Sequence, residues 1–427
     1  MTASGEPHGA TMEPSSTAVI VGSSVAGVRT ARALRSQGFS GRILIIGEEA
    51  ELPYDKPPLS KQFLTGVWDE DRVRLLTADA AQTAGIELRL GSPAIRLDIA
   101  SRTVLLADGS SVPYDVLVIA TGAHARPAPW PVESGVHVVR TLDDSRRLAR
   151  DLHSMSGPVV VVGGGFIGAE VAATARATGR DVTIVDPLHA PIGRIVGDEL
   201  GVMFTDLHHR HGVRTRFGDG VEAVDGVAGA LRVTLTNGKV LPAATVIVGI
   251  GAVPNDSWLA SSGLLIDNGV VCDQFCRAVD DGRVFAVGDV TRWHHLRHGE
   301  DVRVEHWTNA ADQAACVAHN IVHPDHLRPY TPTEYVWSDQ YDWKIQIAGR
   351  PARAALLKII GGLGCEKPRA AAVFGDKSGI LRGAVTVNWP KALLMCRTMV
   401  GSEATAAAAV EQLELLPLTT AAAPSST

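Results

Sequence analysis

One arrangement occurs twice in this 427-residue chain and limits what the chain can fold into. An apolar run ends in a glycine turn and passes into a stretch of small residues. The first copy, AVIVGSSVAGVRTARALR, begins at Ala18, and the second, VVVVGGGFIGAEVAATARATG, begins at Val159. In the first, Ala18–Val21 predicts a buried strand, Gly22 to Gly27 a turn and Val28–Leu34 a helix, with Ile43–Ile46 as the next strand. In the second, the next strand is Val182–Val185, closed by Asp186. Each copy is a βαβ unit, and such units build parallel sheets covered by helices on both faces. The expected fold is therefore α/β, with two Rossmann-like dinucleotide-binding domains.

The turn glycines carry chemistry as well as fold. Where the second residue of such a turn has no Cβ, backbone N–H groups at a helix N-terminus can approach a pyrophosphate closely. The second copy holds the complete G-x-G-x-x-G pattern at Gly163, Gly165 and Gly168. Asp186 ends the following strand, where a carboxylate accepts hydrogen bonds from ribose hydroxyls and repels a 2′-phosphate. This favours NADH over NADPH, although Arg194 lies nearby in sequence. The first copy keeps Gly22 and Gly27 but has Ser24 in the second position, and Glu48 ends its following strand. Two dinucleotide sites in one chain point to a flavin, FAD, and a nicotinamide, between which hydride passes when the rings stack.

Composition closes off other classes. Forty Lys and Arg against 46 Asp and Glu give a net charge of −6, which argues against a nucleic-acid partner. A hydrophobic content of 45% with 20% charged residues excludes global disorder. No stretch of 18 apolar residues spans a membrane, and residues 1–16 lack an apolar leader, so the expected location is cytoplasmic. Five cysteines, at 272, 276, 316, 365 and 396, have no framework spacing. Cys272 and Cys276 read as packing residues, and the clusters His208, His209, His211 and His294, His295, His298 as solvated surface, so no metal site is expected.

The remaining chain predicts a hairpin at Arg232–Thr236 and Lys239–Leu241, turning at Asn237-Gly238. Further strands are expected at Val104–Leu106, Val116–Ile119, Val246–Ile250 and Val284–Val287. Beyond about 330, strands at 344–348, 355–359, 371–375 and 380–387, then a helix at 391–400, predict a C-terminal α+β domain on an antiparallel sheet. Residues 1–16 and 405–427, rich in Ala, Ser, Thr and Pro, read as flexible tails, with a short helix near Val410–Leu415 as the alternative.

Several segments then carry a resemblance. They are Pro53-Tyr54-Asp55-Lys56-Pro57-Pro58-Leu59-Ser60-Lys61, Ala120-Thr121-Gly122, Gly249–Asn255, Gly288-Asp289, Val304–Ala310 and Trp337-Ser338-Asp339-Gln340. Over roughly residues 17–402 the chain resembles the FAD-dependent pyridine nucleotide oxidoreductases, and within them the ferredoxin reductases of putidaredoxin-reductase and rhodocoxin-reductase type. The resemblance implies an FAD domain in two parts, 17–123 and 253–328, around an NAD domain at 124–252, followed by an interface domain at 329–404. It implies FAD contacts from Ala26, Glu48, Lys61, Ala94, Arg140, Gly288, Asp289 and Trp307. It places Glu170 near the nicotinamide, Lys61 as a cation near the flavin, and Trp337 at the flavin face. Two positions depart from the family pattern: Ser24, and Trp389 where Arg is expected.

The acceptor follows from what is missing. Disulfide reductases relay electrons through a Cys pair near the flavin, and some relatives use a single Cys there. Leu52–Thr65 holds no Cys. A reduced flavin without a thiol relay must deliver electrons directly, which suits a two-iron two-sulfur ferredoxin serving a haem monooxygenase or a ring-hydroxylating dioxygenase. Residues 331–400 carry ten bases against five acids, a bias that suits steering of an acidic ferredoxin to the C-terminal domain. Two further readings stay open: an NADH oxidase or quinone-type small-molecule reductase, and a redox-sensing flavoprotein that acts by interaction.

Overall fold

Ala18, Val19, Ile20 and Val21 offer water no polar side chain, and they form the centre of a sheet with solvent on neither face. The computed structural model describes residues 15–132, 134–190, 192–364 and 368–417. They fall into two units. The first comprises the chain up to Leu59, Gly66–Ala125 and Ala252–Pro332; the second comprises Ser60–Thr65, Arg126–Gly251 and the chain from Thr333 onward. Among the described residues no helix is long and apolar enough to cross a membrane.

In the first unit the strand Thr17–Val21 pairs in parallel with Arg42–Ile46 on one side and Val116–Ile119 on the other. Asp281–Ala286 extends the parallel set beyond Val116–Ile119, within a nine-stranded sheet. The helices Val25–Ser36 and Trp307–Val322 pack closely together. Their buried faces include small residues, Ala26, Gly27 and Ala31 on one and Ala310, Ala314 and Ala318 on the other.

The second unit repeats the plan. Val159–Val162 lies between Val182–Asp186 and Thr245–Val248, all parallel, in a five-stranded sheet. The Asn237-Gly238 hairpin forms, with Leu235 N–H donating to the Lys239 carbonyl at 2.8 Å, and a third strand, Val221–Val227, completes a small antiparallel sheet. The C-terminal sheet is antiparallel and five-stranded, in the order Tyr335–Gln340, Trp343–Gly349, Leu381–Val387, Arg369–Gly375, Ala355–Gly362. The strand Tyr335–Gln340 lies outside the expected set. Two of its inward residues are Ser338 and Gln340, so hydrophobic alternation does not betray it.

Two expectations are corrected. Residues 405–417 are not a tail: Ala406–Glu414 is a helix, capped by the Thr405 hydroxyl on Ala408 N–H, with Ala406, Ala409 and Leu413 buried at helical spacing. Residues 1–14 and 418–427, the rest of the expected tails, lie outside the described residues, as does Cys365. The histidines are not all solvated either. His295 is buried on the strand Thr291–His295, and His208 is buried on the inner face of Asp198–Arg210, one turn after Phe204. Trp389, the other departure from the family pattern, is a core residue packed with Cys396 and Met399.

His208 is held by the turn after Tyr335–Gln340. The Tyr341 hydroxyl and His208 Nδ1 are hydrogen-bonded at 2.8 Å, and the Tyr341 ring stacks on His211 with centroids 3.9 Å apart. Burial, reinforced by His209 and His211, lowers the His208 pKa to about 4, and burial pushes the Tyr341 phenol up. Above about pH 6.5 the His208 imidazole is neutral in folded and unfolded chains alike. Between 6.5 and 4 only the unfolded chain takes the proton, so stability drains away as the pH falls through that window. The full window is worth about 3 kcal/mol. Thermal denaturation at about pH 7 and about pH 5 should show a larger drop in midpoint for the wild type than for His208→Asn, whose amide oxygen can still accept from Tyr341.

Candidate nucleotide-binding sites

The two glycine turns are built alike. Gly22 and Gly163 have φ of +121° and +102°, which side chains rarely adopt. A Cβ on Gly22 would fall 2.1 Å from the Ala120 carbonyl oxygen, and one on Gly163 would fall 2.3 Å from that of Gly249. The third glycines match as well: a Cβ on Gly27 would lie 1.9 Å from the Gly22 oxygen, and one on Gly168 would lie 1.9 Å from the Gly163 oxygen. The fold itself therefore demands glycine at these four positions.

The middle position obeys a different rule. A Cβ on Gly165 would meet nothing within 4 Å. Ser24 occupies the same place in the first turn, as the N-cap of Val25–Ser36, and its side chain makes no cap hydrogen bond. Packing does not require a small residue here, yet both turns have one. The open space lies over a helix N-terminus whose first turn carries no acid in either copy. Free N–H groups and a positive dipole end beside such space fit a pyrophosphate.

The residues for the adenosine ends are placed differently. Asp186 is buried, and its carboxylate ties the turn together: Oδ2 accepts from Gly164 N–H and Oδ1 from Leu188 N–H, each at 2.8 Å. Each oxygen keeps a further lone pair. Glu48, just beyond Arg42–Ile46, is exposed. Around the first turn, Gly288 has φ of +81° and would put a Cβ 3.3 Å from both Ala26 Cβ and Ala310 Cβ; its N–H donates to Gln313 Oε1 at 2.8 Å. Asp289 follows, half-buried, its carbonyl accepting from Arg303 at 3.1 Å. Trp307 opens its helix and donates from Nε1 to Asp55 Oδ1 at 2.7 Å, under the Arg29 guanidinium. Ala26, Gly288, Asp289 and Trp307 thus belong to one unit with Gly22, Ser24, Gly27 and Glu48, and so does Ala94, which starts a small antiparallel sheet. Lys61 and Arg140 belong to the second unit, where Arg140 N–H donates to Asp144 Oδ2 at 3.2 Å.

Near the second turn lies a buried ion pair. Glu170, two residues after Gly168, is 3% exposed, and Lys61 has 11% of its side chain exposed. Glu170 Oε2 accepts from Lys61 Nζ and from Ser60 Oγ, both at 2.7 Å, while Oε1 accepts from Ser338 Oγ at 2.8 Å. Gln340 Nε2 donates in turn to Ser338 Oγ at 3.2 Å, and Thr174 holds the Ser60 carbonyl at 2.8 Å. A pair this dry persists only when further hydrogen bonds satisfy it. Sequence reasoning had Lys61 and Glu170 but not the two serines that complete the set. Ser338 sits inside the Trp337–Gln340 segment, where the tryptophan draws the attention. Trp337 itself points to the opposite face of the strand, half-buried beside Tyr335 with ring centroids 6.1 Å apart.

The thiols stand apart from this chemistry. Cys272, Cys276 and Cys396 are buried and free, and Cys316 is partly buried. Burial pushes the Cys272 and Cys276 thiols up, Cys396 to about 12 and Cys316 to about 11. Protonated, enclosed thiols are inert. Cys276 accepts from Gln313 Nε2 at 3.2 Å, a packing contact in the sense the sequence suggested.

The contrast between glycines can be measured. Gly165→Ala should leave the thermal midpoint within about 2 °C of wild type, because its methyl meets no protein atom. It should raise the KM for the pyridine nucleotide by about tenfold or more, because the methyl enters the cradle. Gly168→Ala should instead cost several kcal/mol of stability, on the order of 3 or more, because its methyl meets backbone. Melting curves and NADH-dependent ferricyanide reduction read both.

Known proteins resemble this chain over most of its length. The family model described as pyridine nucleotide-disulphide oxidoreductase matches residues 16–314, and the model described as reductase C-terminal matches residues 335–415. The chain is 36% identical over 388 residues to rhodocoxin reductase of Rhodococcus erythropolis, covering 90% of this chain and 89% of that one. It is 38% identical over 335 residues to the anthranilate 1,2-dioxygenase system ferredoxin--NAD(+) reductase component of Burkholderia cepacia, covering 78% and 81%. The crystal structure of the covalent putidaredoxin reductase–putidaredoxin complex superposes with a TM-score of 0.84 at 30% identity, covering 91% of this chain and 93% of that one. The chain belongs to the pyridine nucleotide-disulphide oxidoreductase family and carries that family's reductase C-terminal region.

Proposed function

We propose that this protein is an NADH-dependent ferredoxin reductase. Holding FAD as its cofactor, it would take hydride from NADH and hand the electrons singly to a two-iron two-sulfur ferredoxin that serves a haem monooxygenase or a ring-hydroxylating dioxygenase. One observation carries the reading: the two dinucleotide cradles and the buried Lys61–Glu170 pair occur in a chain with no Cys in Leu52–Thr65. The names of the relatives support it: rhodocoxin reductase, putidaredoxin reductase in complex with putidaredoxin, and the ferredoxin--NAD(+) reductase component of an anthranilate 1,2-dioxygenase system.

Bound FAD supplies the conversion of a two-electron hydride into one-electron steps. The residues of this chain hold and orient. The N–H groups at the start of Val25–Ser36 bind the FAD pyrophosphate, with Gly22, Ser24 and Gly27 making room, and Glu48 accepts from the ribose. Ala26, Ala94, Gly288, Asp289 and Trp307 line the FAD. Gly163, Gly165 and Gly168 do for NADH what the first turn does for FAD. Asp186 accepts from the ribose hydroxyls through its remaining lone pairs and repels a 2′-phosphate. In the second unit Lys61 is a fixed positive charge balanced by Glu170, and Lys61, Arg140 and Trp337 are the residues that the family resemblance assigns to the flavin.

Several bases of the C-terminal region are spent on internal partners: Arg350 on Glu334, Lys344 on Asp339, Lys358 on Glu414 and Arg382 on Asp376. As the docking surface for an acidic ferredoxin we take the helix Pro390–Gly401, where Lys391 and Leu394 are both exposed.

The test uses purified, flavin-loaded protein with NADH and a panel of ferredoxins, reading cytochrome c reduction and oxygen uptake side by side. Cytochrome reduction should depend on an added ferredoxin; fast oxygen uptake with no ferredoxin response would favour an oxidase instead. Asp186→Asn retains an oxygen for one loop amide but removes the charge. It should lower kcat/KM for NADH by about tenfold and narrow the preference against NADPH. Lys391→Glu should slow ferredoxin reduction several-fold at low salt and leave ferricyanide reduction unchanged.

A further inference from the structure

The face of the C-terminal sheet that includes Val336, Ile345, Ile347, Val385 and Val387 is apolar and packs on Phe204 and its neighbours. Ser338 and Gln340 interrupt it, and both are fully buried. A hydroxyl and an amide in such a place cost stability unless their hydrogen bonds are directed somewhere. Here the direction is clear. Gln340 Nε2 donates to Ser338 Oγ, and Ser338 Oγ donates to Glu170 Oε1. Gln340 Oε1, also buried, has no hydrogen-bond partner among the described residues. The amide is thus held by its donor end, which serves Ser338, and its acceptor end is left idle.

We propose that Ser338, backed by Gln340, is a positioning residue for the hydride step. It fixes the carboxylate of Glu170 so that the other oxygen is presented to Lys61. Without Ser338, both remaining donors, Lys61 Nζ and Ser60 Oγ, fall on Oε2, and nothing among the contacts described fixes rotation about the Cγ–Cδ bond. With it, both oxygens are held and the plane of the carboxylate is set. The hydrogen-bond chain polarises in one direction, each donor strengthening the next, and ends on the ionised group. Lys61 then sits in one place rather than in an ensemble. The region matched as reductase C-terminal, which begins at residue 335, therefore contributes a donor to the ion pair beside the nucleotide turn. This role is separate from any docking of an electron acceptor. The inference rests on the reading of the protein as an NADH-oxidising flavoprotein.

The test compares Ser338→Ala, Ser338→Thr, Glu170→Gln and the Ser338→Ala/Glu170→Gln double variant, each as the full chain loaded with FAD. Anaerobic rapid mixing with NADH gives the rate of flavin bleaching and its dependence on NADH concentration. A redox titration without NADH gives the midpoint potential of the flavin. Ser338→Ala should keep its FAD, bleach about tenfold more slowly at saturating NADH, and change the half-saturating NADH concentration by less than about twofold. Its flavin potential should move in the same direction as that of Glu170→Gln. Ser338→Thr, which keeps the hydroxyl on a strand that accepts β-branched residues, should recover most of the rate. In the Glu170→Gln background, Ser338→Ala should cost less than about twofold more, because its effect runs through the carboxylate. The proposal is overturned if Ser338→Ala matches wild type in rate and potential, or if it costs the same in both backgrounds. A wild-type protein that holds FAD but is not bleached by NADH would overturn the functional reading first, whatever the variants do.

Discussion

The contact between the third glycine of each turn and the carbonyl of the first sets the rest of the structure. At Gly27 and Gly168 the helix backbone comes so close to the strand end that a methyl group would lie 1.9 Å from an oxygen. That approach aims the helix axis at the end of the parallel sheet, where the strands deliver Glu48 and Asp186. It also leaves the first-turn N–H groups facing open space, with Ser24 or Gly165 at the rim. Under the proposed function that N-terminus is where a pyrophosphate would bind, held by backbone rather than by side chains. The same turn recurs in both units, each time at the end of a short central strand of a parallel set, Thr17–Val21 or Val159–Val162.

The second organising element is charge held without water. A carboxylate at 3% exposure, with three donors from two other segments of its unit, is an expensive arrangement to keep. Ser60 and Lys61 come from the segment after the first βαβ unit, Glu170 from the helix of the second, and Ser338 from the edge of the C-terminal sheet. Leu52–Thr65 holds no Cys, and burial pushes up the thiols of Cys272, Cys276 and Cys396, which are enclosed, and of Cys316, which is partly buried. Electron delivery without a thiol relay is what the proposed function requires.

Much of this is legible in the residues, and for identifiable reasons. The strands Thr17–Val21 and Val159–Val162 are continuous apolar runs ended by glycine, a pattern with few other solutions. The Asn237-Gly238 hairpin is legible because its turn needs a positive φ. The edge strand Tyr335–Gln340 is not legible, because its inward positions include a serine and a glutamine that serve Glu170 rather than the core. The helix Ala406–Glu414 hides in an alanine-rich stretch whose few large residues only become an apolar face once the sheet is beneath them. His208 looks like part of a polar cluster; only the tertiary fold shows that Tyr341 covers it. Local pattern reports elements that carry their own hydrophobic face, and it is silent where polar side chains are buried for a purpose.

The most direct measurement is an anaerobic titration of the flavin-loaded protein with NADH after its accessible thiols have been alkylated. The account predicts a yellow protein whose visible absorbance is bleached by one equivalent of NADH per flavin, with undiminished delivery of electrons to a ferredoxin. A protein that takes up no flavin would contradict it. So would one that needs a further reducing equivalent for a sulfur centre, or one whose delivery of electrons is lost on alkylation.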